Sequence, residues 1–324
     1  MFDLSRIDNV KIGVLGDLAM DIYWYADMTK SELSRETPHH PLPVVREVMS
    51  LGAAGNLAAN IAALEPAALH VCGVRGDDWR GELLTAHLRK ISAETSGLIT
   101  EPGRFTQAYC KPMRMGLSDV VYEDPRVDFA ATAPISAETE AAVLRWLDAM
   151  DGTLDALCVC DQFACGIVTE AVLARLSSMK TPLFVDSRSR IGAFRVKGVL
   201  KPNEVECTAG LRALGMTPPE VPAMQARALS KATGAAVLMT LGEAGSIYAD
   251  GDAAPVHTDA VRVSGEVDIC GAGDTSMAAF SVCMAAGAKP CEAAEIAALA
   301  SAVTVKKLAA TGTASRAEIL AAAN

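Results

Sequence analysis

Alternation of short apolar runs with helical segments is the feature that most restricts the fold of this chain of 324 residues. Residues 11–17, 156–161, 182–186 and 236–242 are apolar runs typical of buried strands, and segments with helical spacing of apolar residues lie between them. Repeated strand–helix units predict an α/β fold, with a central, mainly parallel sheet and helices on both faces. We expect one domain over residues 1–324.

Two stretches, near residues 17–50 and 98–130, do not follow this alternation. They read as half-exposed strands, and one of them carries the aromatic run Tyr23, Trp24 and Tyr25. We expect these strands to pair with each other as a small β-sheet lid. Because an uncovered apolar strand face is usually buried by a partner, the lid is also expected to join two copies of the chain in a homodimer.

The composition argues against several classes of function. Asp and Glu outnumber Lys and Arg by 39 to 29, a net charge of −10, which disfavours nucleic acid as the main partner. No uncharged apolar window reaches the roughly 18 residues of a membrane span, and the first residues lack the pattern of a secretory signal. The nine cysteines are expected to be reduced core thiols of a cytoplasmic protein.

Polar residues end several of the predicted strands. In parallel sheets, ligands bind at the carboxyl ends of strands. The candidates at this edge are Asp17, Asp161, Asp186, Asn203 and Thr240. A single aspartate at a strand end often only caps the next helix, but five polar residues on one edge indicate a binding site.

The segment VDICGAGDTSMAAF, residues 267–280, carries the strongest signal. Gly271, Ala272 and Gly273 predict a tight turn into an alanine-rich helix, where backbone N–H groups and the helix dipole attract an anion. Asp274 at this helix start is either a general base beside a phosphoryl group or simply the N-cap of the helix. Neither GxxxxGK[ST] nor GxGxxG is present, which excludes a P-loop enzyme and an ordinary dinucleotide binder.

Four motifs resemble those of the ribokinase-like (phosphofructokinase-B type) carbohydrate kinases, and they occur in the family's order. They are LGAAGN at 51–56, KPNEVE at 201–206, TLGEAG at 240–245 and GAGDT at 271–275. Within that family the chain is most similar to the heptose-phosphate kinases of ADP-heptose synthesis, through GDLAMDIYWY at 16–25 and RVDF at 126–129. The resemblance implies an ATP-dependent kinase acting on a sugar or sugar phosphate such as D-glycero-D-manno-heptose 7-phosphate, with Mg²⁺ and a monovalent cation such as K⁺.

The resemblance also implies a role for each matching residue. Asp274 is implied as the catalytic base, and the amides of Gly271, Ala272 and Gly273 as the anion hole. Asn203 and Glu206 are implied at the magnesium ion and the phosphates, with Glu206 as the metal ligand. The nucleotide site is implied to contain Thr240, Gly242 and Gly245. The implied contacts to sugar hydroxyls are Asp17, Asp21, Gly52 and Asn56. Asp161, from its position at a strand end, and Arg188 are expected as further substrate contacts.

The chain departs from this pattern at several positions. DSRSR at 186–190 stands where heptose-phosphate kinases have DPKG, so Arg188 and Arg190 either hold a substrate phosphate or are solvated surface charges. The paired glycines of the first signature are Gly52 and Ala53 here, Cys270 replaces a threonine, and Ala298 an asparagine near the adenine. A nucleoside or neutral-sugar kinase of the same fold and a non-catalytic ligand sensor therefore stay open as alternatives.

Overall fold

Two β-sheets and the helices around them form the part of the chain that the computed structural model describes, residues 2–307 and 312–323. The strands are β1 (Lys11–Gly16), β2 (Leu18–Asp27), β3 (Val44–Ala53), β4 (Ala68–Arg75), β5 (Glu94–Thr100), β6 (Gln107–Met115), β7 (Tyr122–Glu123), β8 (Val127–Phe129), β9 (Ala156–Asp161), β10 (Leu183–Ser187), β11 (Gly198–Leu200), β12 (Ala236–Thr240), β13 (Ser246–Ala249) and β14 (Val256–Thr258). The helices are α1 (Ala54–Ala63), α2 (Trp79–Lys90), α3 (Ala137–Met150), α4 (Glu170–Ser177), α5 (Glu204–Ala213), α6 (Pro222–Thr233), α7 (Ala272–Ala285), α8 (Pro290–Thr304) and α9 (Arg316–Ala322).

Within the described residues, the larger sheet has nine strands in the order β14-β13-β12-β11-β10-β9-β1-β4-β5. The strands from β12 to β5 in this order run parallel, and β13 and β14 are antiparallel at one edge. The predicted mainly parallel α/β sheet is confirmed. Parallel order brings the carboxyl ends of these strands to one edge, where the candidate side chains follow them.

Helices cover both faces of this sheet because successive strand side chains point to opposite sides. Ile12 and Val14 of β1 belong to an apolar core that includes Leu57 of α1 and Phe280 of α7. Leu15 of β1 belongs to the second core on the opposite face, with residues of α3, α4, α5 and α6. Burial on both faces explains why the central strands read as continuous apolar runs.

The smaller sheet has the order β3-β2-β6-β7, and β8 also pairs with β6. β2 is antiparallel to β3 and parallel to β6, so the two irregular stretches of the sequence do pair with each other. The expectation of an exposed aromatic run on β2 was wrong for Tyr23 and Tyr25, which are each 5% exposed because neighbouring elements cover them. The predicted start of the second lid stretch, near residue 98, was wrong. Residues 98–100 belong to β5 at the edge of the large sheet, because Leu98 and Ile99 pair with Gly73 and Val74 of β4.

The expectation that all cysteines are core thiols holds only in part. Cys158 and Cys160 are buried in β9, but Cys270 and Cys291 are exposed. None of the described helices combines the length and the apolar character needed to cross a membrane.

Candidate active site

A cavity of about 540 Å³ opens at the carboxyl ends of β10, β11 and β12, beside the first turn of α7. It is lined by Gln162, Asp186, Lys201, Asn203, Glu204, Val205, Glu206, Thr240, Leu241, Gly242, Gly271, Gly273 and Asp274. The fold thus brings together three of the four motifs, which are far apart in the chain. The other predicted site residues, among them Asp21, Gly52 and Asn56, are not part of its lining.

Gly271 starts α7 and sets the direction of the helix. It occupies the N-cap position with a φ of 81°, a conformation that residues with a side chain rarely adopt. No side chain caps this helix end, and Asp274 lies inside the first turn. The alternative that Asp274 is only the N-cap of the helix is therefore wrong.

Asp274 lies on the cavity wall with one of its oxygens held by the protein. Nδ2 of Asn56 donates a hydrogen bond of 2.6 Å to Oδ2 of Asp274. Burial and the negative charge of Asp186 raise the pKa of Asp274 to about 7, although Asn56 and the charge of Lys201 act in the opposite direction. A carboxylate with this pKa can both accept and release a proton near neutral pH.

The start of α7 presents backbone N–H groups to the cavity, because the first amides of a helix have no intrahelical acceptor. Of the three predicted donors, Ala272 has an acceptor within the protein, since its N–H lies 3.2 Å from the carbonyl oxygen of Ile269. Gly271 and Gly273 line the cavity and Ala272 does not. We therefore expect the amides of Gly271 and Gly273, together with the helix dipole, to bind the anion, without the amide of Ala272.

Sequence reasoning missed a buried cation at this helix start. Nζ of Lys201 forms an ion pair of 3.0 Å with Oδ2 of Asp186, and a Cβ placed on Gly273 would lie 3.6 Å from the same Nζ. Burial opposes the charge of Lys201, but Asp186 and neighbouring acidic groups hold its pKa above the ordinary value. The signal was the lysine directly before Pro202 and Asn203 at a strand end, a position where a charged residue is unusual unless it is paired.

Asn203 and Glu206 close the opposite end of the cavity at the start of α5. They form a capping box, in which the Asn203 side chain accepts from the Glu206 amide at 2.9 Å and Glu206 Oε2 accepts from the Asn203 amide at 2.9 Å. Burial raises the pKa of Glu206, while the Asn203 amide and the charges of Lys201 and Arg188 oppose the shift. Only Oε2 of Glu206 takes part in the cap, and the second carboxylate oxygen does not.

This donor set fits a magnesium ion that arrives with a nucleotide. Mg²⁺ in such sites is typically held by one or two carboxylates together with phosphate oxygens and water. In residues 2–307 and 312–323, no group of three or more His, Cys, Asp or Glu side chains is arranged to hold a metal by itself. Glu206 therefore fits a contact to the cation of a bound nucleotide.

The TLGEAG segment forms a turn along the cavity rim. Thr240 ends β12 and pairs with Asn203, and its N–H donates to the carbonyl of Pro202 at 3.0 Å. Gly242 lines the cavity with a φ of 59°. Gly245, with a φ of 91°, lies behind the rim, where a Cβ would collide with the carbonyl oxygen of Thr258. Gly245 thus shapes the turn and does not line the cavity.

Asp21 and Gly52 face each other on the neighbouring strands β2 and β3. They are diagonal neighbours, and a Cβ on Gly52 would lie 3.0 Å from Oδ2 of Asp21. Burial raises the pKa of Asp21 to about 6, with Lys111 and Arg126 opposing the shift. The negative charge of Asp21 also acts to raise the pKa of Asp274, so the two carboxylates are close enough to interact.

Two cations lie near Asp21, and a third, Arg188, acts on the neighbouring Tyr109. Lys111 of β6 donates a hydrogen bond of 2.9 Å to the hydroxyl of Tyr23, and Arg126 stacks over the ring of Tyr109 at 4.3 Å. Arg188 is exposed, and its charge opposes the burial-induced rise in the pKa of Tyr109 as well as that of Glu206. Arg188 therefore lies between the lid and the nucleotide end of the cavity.

Two predicted substrate contacts are engaged within the protein instead. Asp17 accepts three backbone N–H groups at 2.8 Å each, from Gln162, Phe163 and Ile167, and so anchors the loop after β9. Asp161 pairs with Arg190 at 2.7 Å and accepts from Ser187 at 2.7 Å. This differs from the expectation, because neither carboxylate lines the cavity and protein donors take both oxygens of each.

Residues 187–316 match the profile of the pfkB family carbohydrate kinase. The bifunctional protein HldE of Bradyrhizobium sp. (strain ORS 278) is 31% identical over 314 residues, which are 94% of this chain and 62% of that protein. The protein of the same name from Caulobacter sp. (strain K31) is 34% identical over 308 residues, 91% of this chain and 59% of its own. The chain thus spans about three fifths of the length of these curated relatives.

Solved structures share the whole fold at low identity. Phosphofructokinase-2 from Escherichia coli, in complex with substrates and products, has a TM-score of 0.74 and 17% identity, covering 96% of this chain and 98% of its own. Ribokinase from Arabidopsis thaliana, complexed with ribose and ATP, has a TM-score of 0.70 and 19% identity, covering 97% and 98%. The fold is that of the ribokinases. Together with the profile match and the relatives above, this shows that the chain carries a pfkB family carbohydrate kinase domain.

Proposed function

We propose that this protein is an ATP-dependent kinase that transfers the γ-phosphate to a hydroxyl group of a sugar phosphate. The observation that carries the proposal is the position of Asp274, a carboxylate with a pKa of about 7 in the first turn of a helix whose amides open on the same cavity. A carboxylate beside an anion-binding helix start is unfavourable unless it has a proton to accept. This arrangement fits a general base next to a phosphoryl group.

The residues of the cavity suggest how the transfer proceeds. The acceptor hydroxyl oxygen attacks the γ-phosphorus while the bond to the bridging oxygen of ADP breaks, and the hydroxyl proton passes to Asp274. The amides of Gly271 and Gly273, the dipole of α7 and the ammonium of Lys201 face the transferred group and stabilise its negative charge. ADP leaves with the bonding electrons.

The opposite end of the cavity suits the rest of the nucleotide. We assign the triphosphate to the space between the start of α7 and the Asn203–Glu206 cap, and the adenosine to the rim at Thr240 and Gly242. Mg²⁺ enters with ATP as the cation of the substrate, and Glu206 is the carboxylate suited to hold it or its waters.

The charges around Asp21 favour an acceptor that already carries a phosphate. Asp21 and Gly52 lie where the sugar hydroxyls are expected. Lys111 and Arg126 place positive charge at Asp21, and the charge of Arg188 acts on the nearby Tyr109 and on Glu206. A phosphate needs such cations, whereas a neutral sugar does not. Together with the resemblance to heptose-phosphate kinases, this makes heptose 7-phosphate the substrate that we propose to test first.

The lid also has the features of an interface between two copies of the chain. Its exposed apolar side chains include Leu117, Val120, Val121 and Tyr122, and Leu117 is 77% exposed. An apolar hollow of about 230 Å³ lies at the same end of the lid, between Met28, Met115 and Tyr122. Exposed apolar patches of this kind are usually covered by a partner, and we propose that a second lid covers this one.

The proposed function is tested by the release of ADP from Mg·ATP with a panel of sugars and sugar phosphates. We expect turnover with a sugar phosphate and, in the Asp274→Asn variant, a kcat lower by about 10² or more with little change in ATP binding. A protein that binds ATP and sugars but turns over none of the panel would be the ligand sensor. Good turnover of neutral sugars or nucleosides alone would refute the proposal that the acceptor is a sugar phosphate.

A further inference from the structure

A chain of hydrogen bonds runs from the interior of the protein to Asp274. Oγ1 of Thr275 donates to Oδ1 of Asn60 at 2.8 Å, and Nδ2 of Asn60 donates to Oδ1 and to the carbonyl of Asn56 at 3.2 and 3.0 Å. Nδ2 of Asn56 then donates to Oδ2 of Asp274 at 2.6 Å. Thr275, Asn60 and Asn56 are each only 2% exposed, so water cannot replace these bonds easily.

The direction of every bond in this chain follows from the carboxylate at its end. An ionised carboxylate only accepts hydrogen bonds, so Asn56 must turn its NH₂ group toward Asp274 and its oxygen toward Asn60. Asn60 must then donate to Asn56 and accept from Thr275. The Thr275 hydroxyl is the donor that completes the series, because a buried Asn60 oxygen without a partner would be costly.

We propose that Asn60 and Thr275 are positioning residues for the catalytic base: they hold the Asn56 amide in the one orientation that donates to Asp274. This inference rests on the proposed kinase function of Asp274. Asn56 and Asn60 lie one turn apart on α1, and Thr275 follows Asp274 on α7, so the chain also ties the two helices together.

This series of hydrogen bonds gives the two oxygens of Asp274 different roles. Oδ2 is held by Asn56, which leaves Oδ1 to take the proton of the acceptor hydroxyl. If Asn56 were free to turn, its oxygen would face the carboxylate and repel the charged form. Loss of the Thr275 hydroxyl is therefore expected to weaken the base without removing any group that contacts a substrate.

Other charged groups also act on Asp274, and they stay in place when the series of hydrogen bonds from Thr275 to Asp274 is interrupted. Asp186 of β10 and Asp21 of β2 raise its pKa, and Lys201 after β11 lowers it. The Cys160 thiol of β9 lies close enough for the charge of Asp274 to act on it, and burial keeps that thiol protonated. The Thr275 hydroxyl also lies 3.2 Å from the carbonyl oxygen of Gly271, an uncharged group, and its shorter 2.8 Å bond is the one to Asn60. A change in the titration of Asp274 that follows loss of this hydroxyl thus reports on the Asn56 amide.

The variant Thr275→Val tests the proposal, because it removes the hydroxyl and keeps the volume. We expect kcat to fall about tenfold and the acidic limb of its pH profile to move to higher pH, with an unchanged KM for ATP. Thr275→Ser should restore both. Thr85→Val is the matched control, since Thr85 is a buried helical threonine that donates to the carbonyl of Gly81 at 2.8 Å, outside the site.

A second readout does not depend on activity. The ¹³C resonance of the Asp274 carboxyl, assigned by its absence in Asp274→Asn, should titrate at higher pH in folded Thr275→Val than in the wild type. An unchanged titration and pH profile in the folded variant would overturn the proposal. If the wild type phosphorylates no acceptor but the carboxyl titration still moves, the proposed function fails and the positioning of Asp274 stands.

Discussion

The ammonium nitrogen of Lys201 lies 3.0 Å from Oδ2 of Asp186, and both side chains are more than nine-tenths buried beside the cavity. Two charges this deeply buried are stable only as a pair. The pair holds a cation beside the first turn of α7 while keeping the carboxylate of Asp186 near Asp274. Much of the electrostatic character of the site therefore depends on this contact.

Breaking the Lys201–Asp186 pair should reduce both stability and activity. In Lys201→Met, Asp186 stays buried without its cation and keeps only the 3.3 Å hydrogen bond from Nε2 of Gln162, so we expect the free energy of unfolding in urea to fall by about 3 kcal/mol. The double variant Lys201→Met/Asp186→Asn should regain much of this stability but not the turnover, because the cation at the phosphoryl site is still missing. Recovery of full activity in the double variant would show that Lys201 has no role beyond its pairing.

The activity should depend on the protonation of Asp274. Burial and Asp186 raise the pKa of this carboxyl to about 7 from an ordinary value of 3.8, so the protonated form, which cannot accept a proton, predominates at lower pH. We expect kcat to rise with pH, to reach half of its plateau near pH 7 and to level off about one pH unit above that. The residual activity of Asp274→Asn should lack this limb, and a flat wild-type profile would contradict the assignment.

Arg188 should contribute to binding of a phosphorylated acceptor. It is exposed between the lid and the cavity, where its guanidinium can form a bidentate contact to phosphate. In Arg188→Ala we expect KM for the sugar phosphate to rise about tenfold, a loss of about 1.4 kcal/mol, with KM for ATP less affected. Arg89→Ala on α2, an exposed arginine away from the cavity, is the control and should change neither constant.

The lid should hold two copies of the chain together in solution. We expect a dimeric mass by light scattering at micromolar concentration, and a monomer when Leu117 and Val120 are both replaced by Glu, because the charges would be buried in the interface. Met224→Glu, at an exposed apolar position of α6, should leave the dimer intact. A monomeric wild type would refute the lid as an interface.

Ala53 stores backbone strain at the junction of β3 and α1. Its φ of 49° and ψ of −127° lie in a region that residues with a side chain rarely adopt. The resemblance to the family implies a glycine at this position. We expect Ala53→Gly to stabilise the fold by about 1 kcal/mol, the release of strain exceeding the entropic cost of the glycine. A lower melting temperature of this variant would contradict the prediction.

Much of the fold could be predicted from local patterns. The apolar runs of β1, β9, β10 and β12 and the helical spacing between them depend on only a few consecutive residues, so the parallel sheet and the second sheet were both foreseen. The glycine turn at Gly271 and the helix that follows it were predicted from an equally short segment. The boundary near residue 98 was misjudged because an edge strand of the large sheet and a lid strand have similar half-exposed patterns.

The sequence by itself determined which polar residues reach the carboxyl edge of the sheet, since strand ends and turns are encoded in short segments. Only the tertiary structure decided what each of them does there. Asp17, Asp161 and Asp186 are equivalent strand-end residues in the sequence, but the first anchors a loop, the second pairs with Arg190 and the third pairs with Lys201 in the cavity. A carboxylate becomes a base or an anchor according to the donors that packing brings to it, and here those donors come from distant segments of the chain.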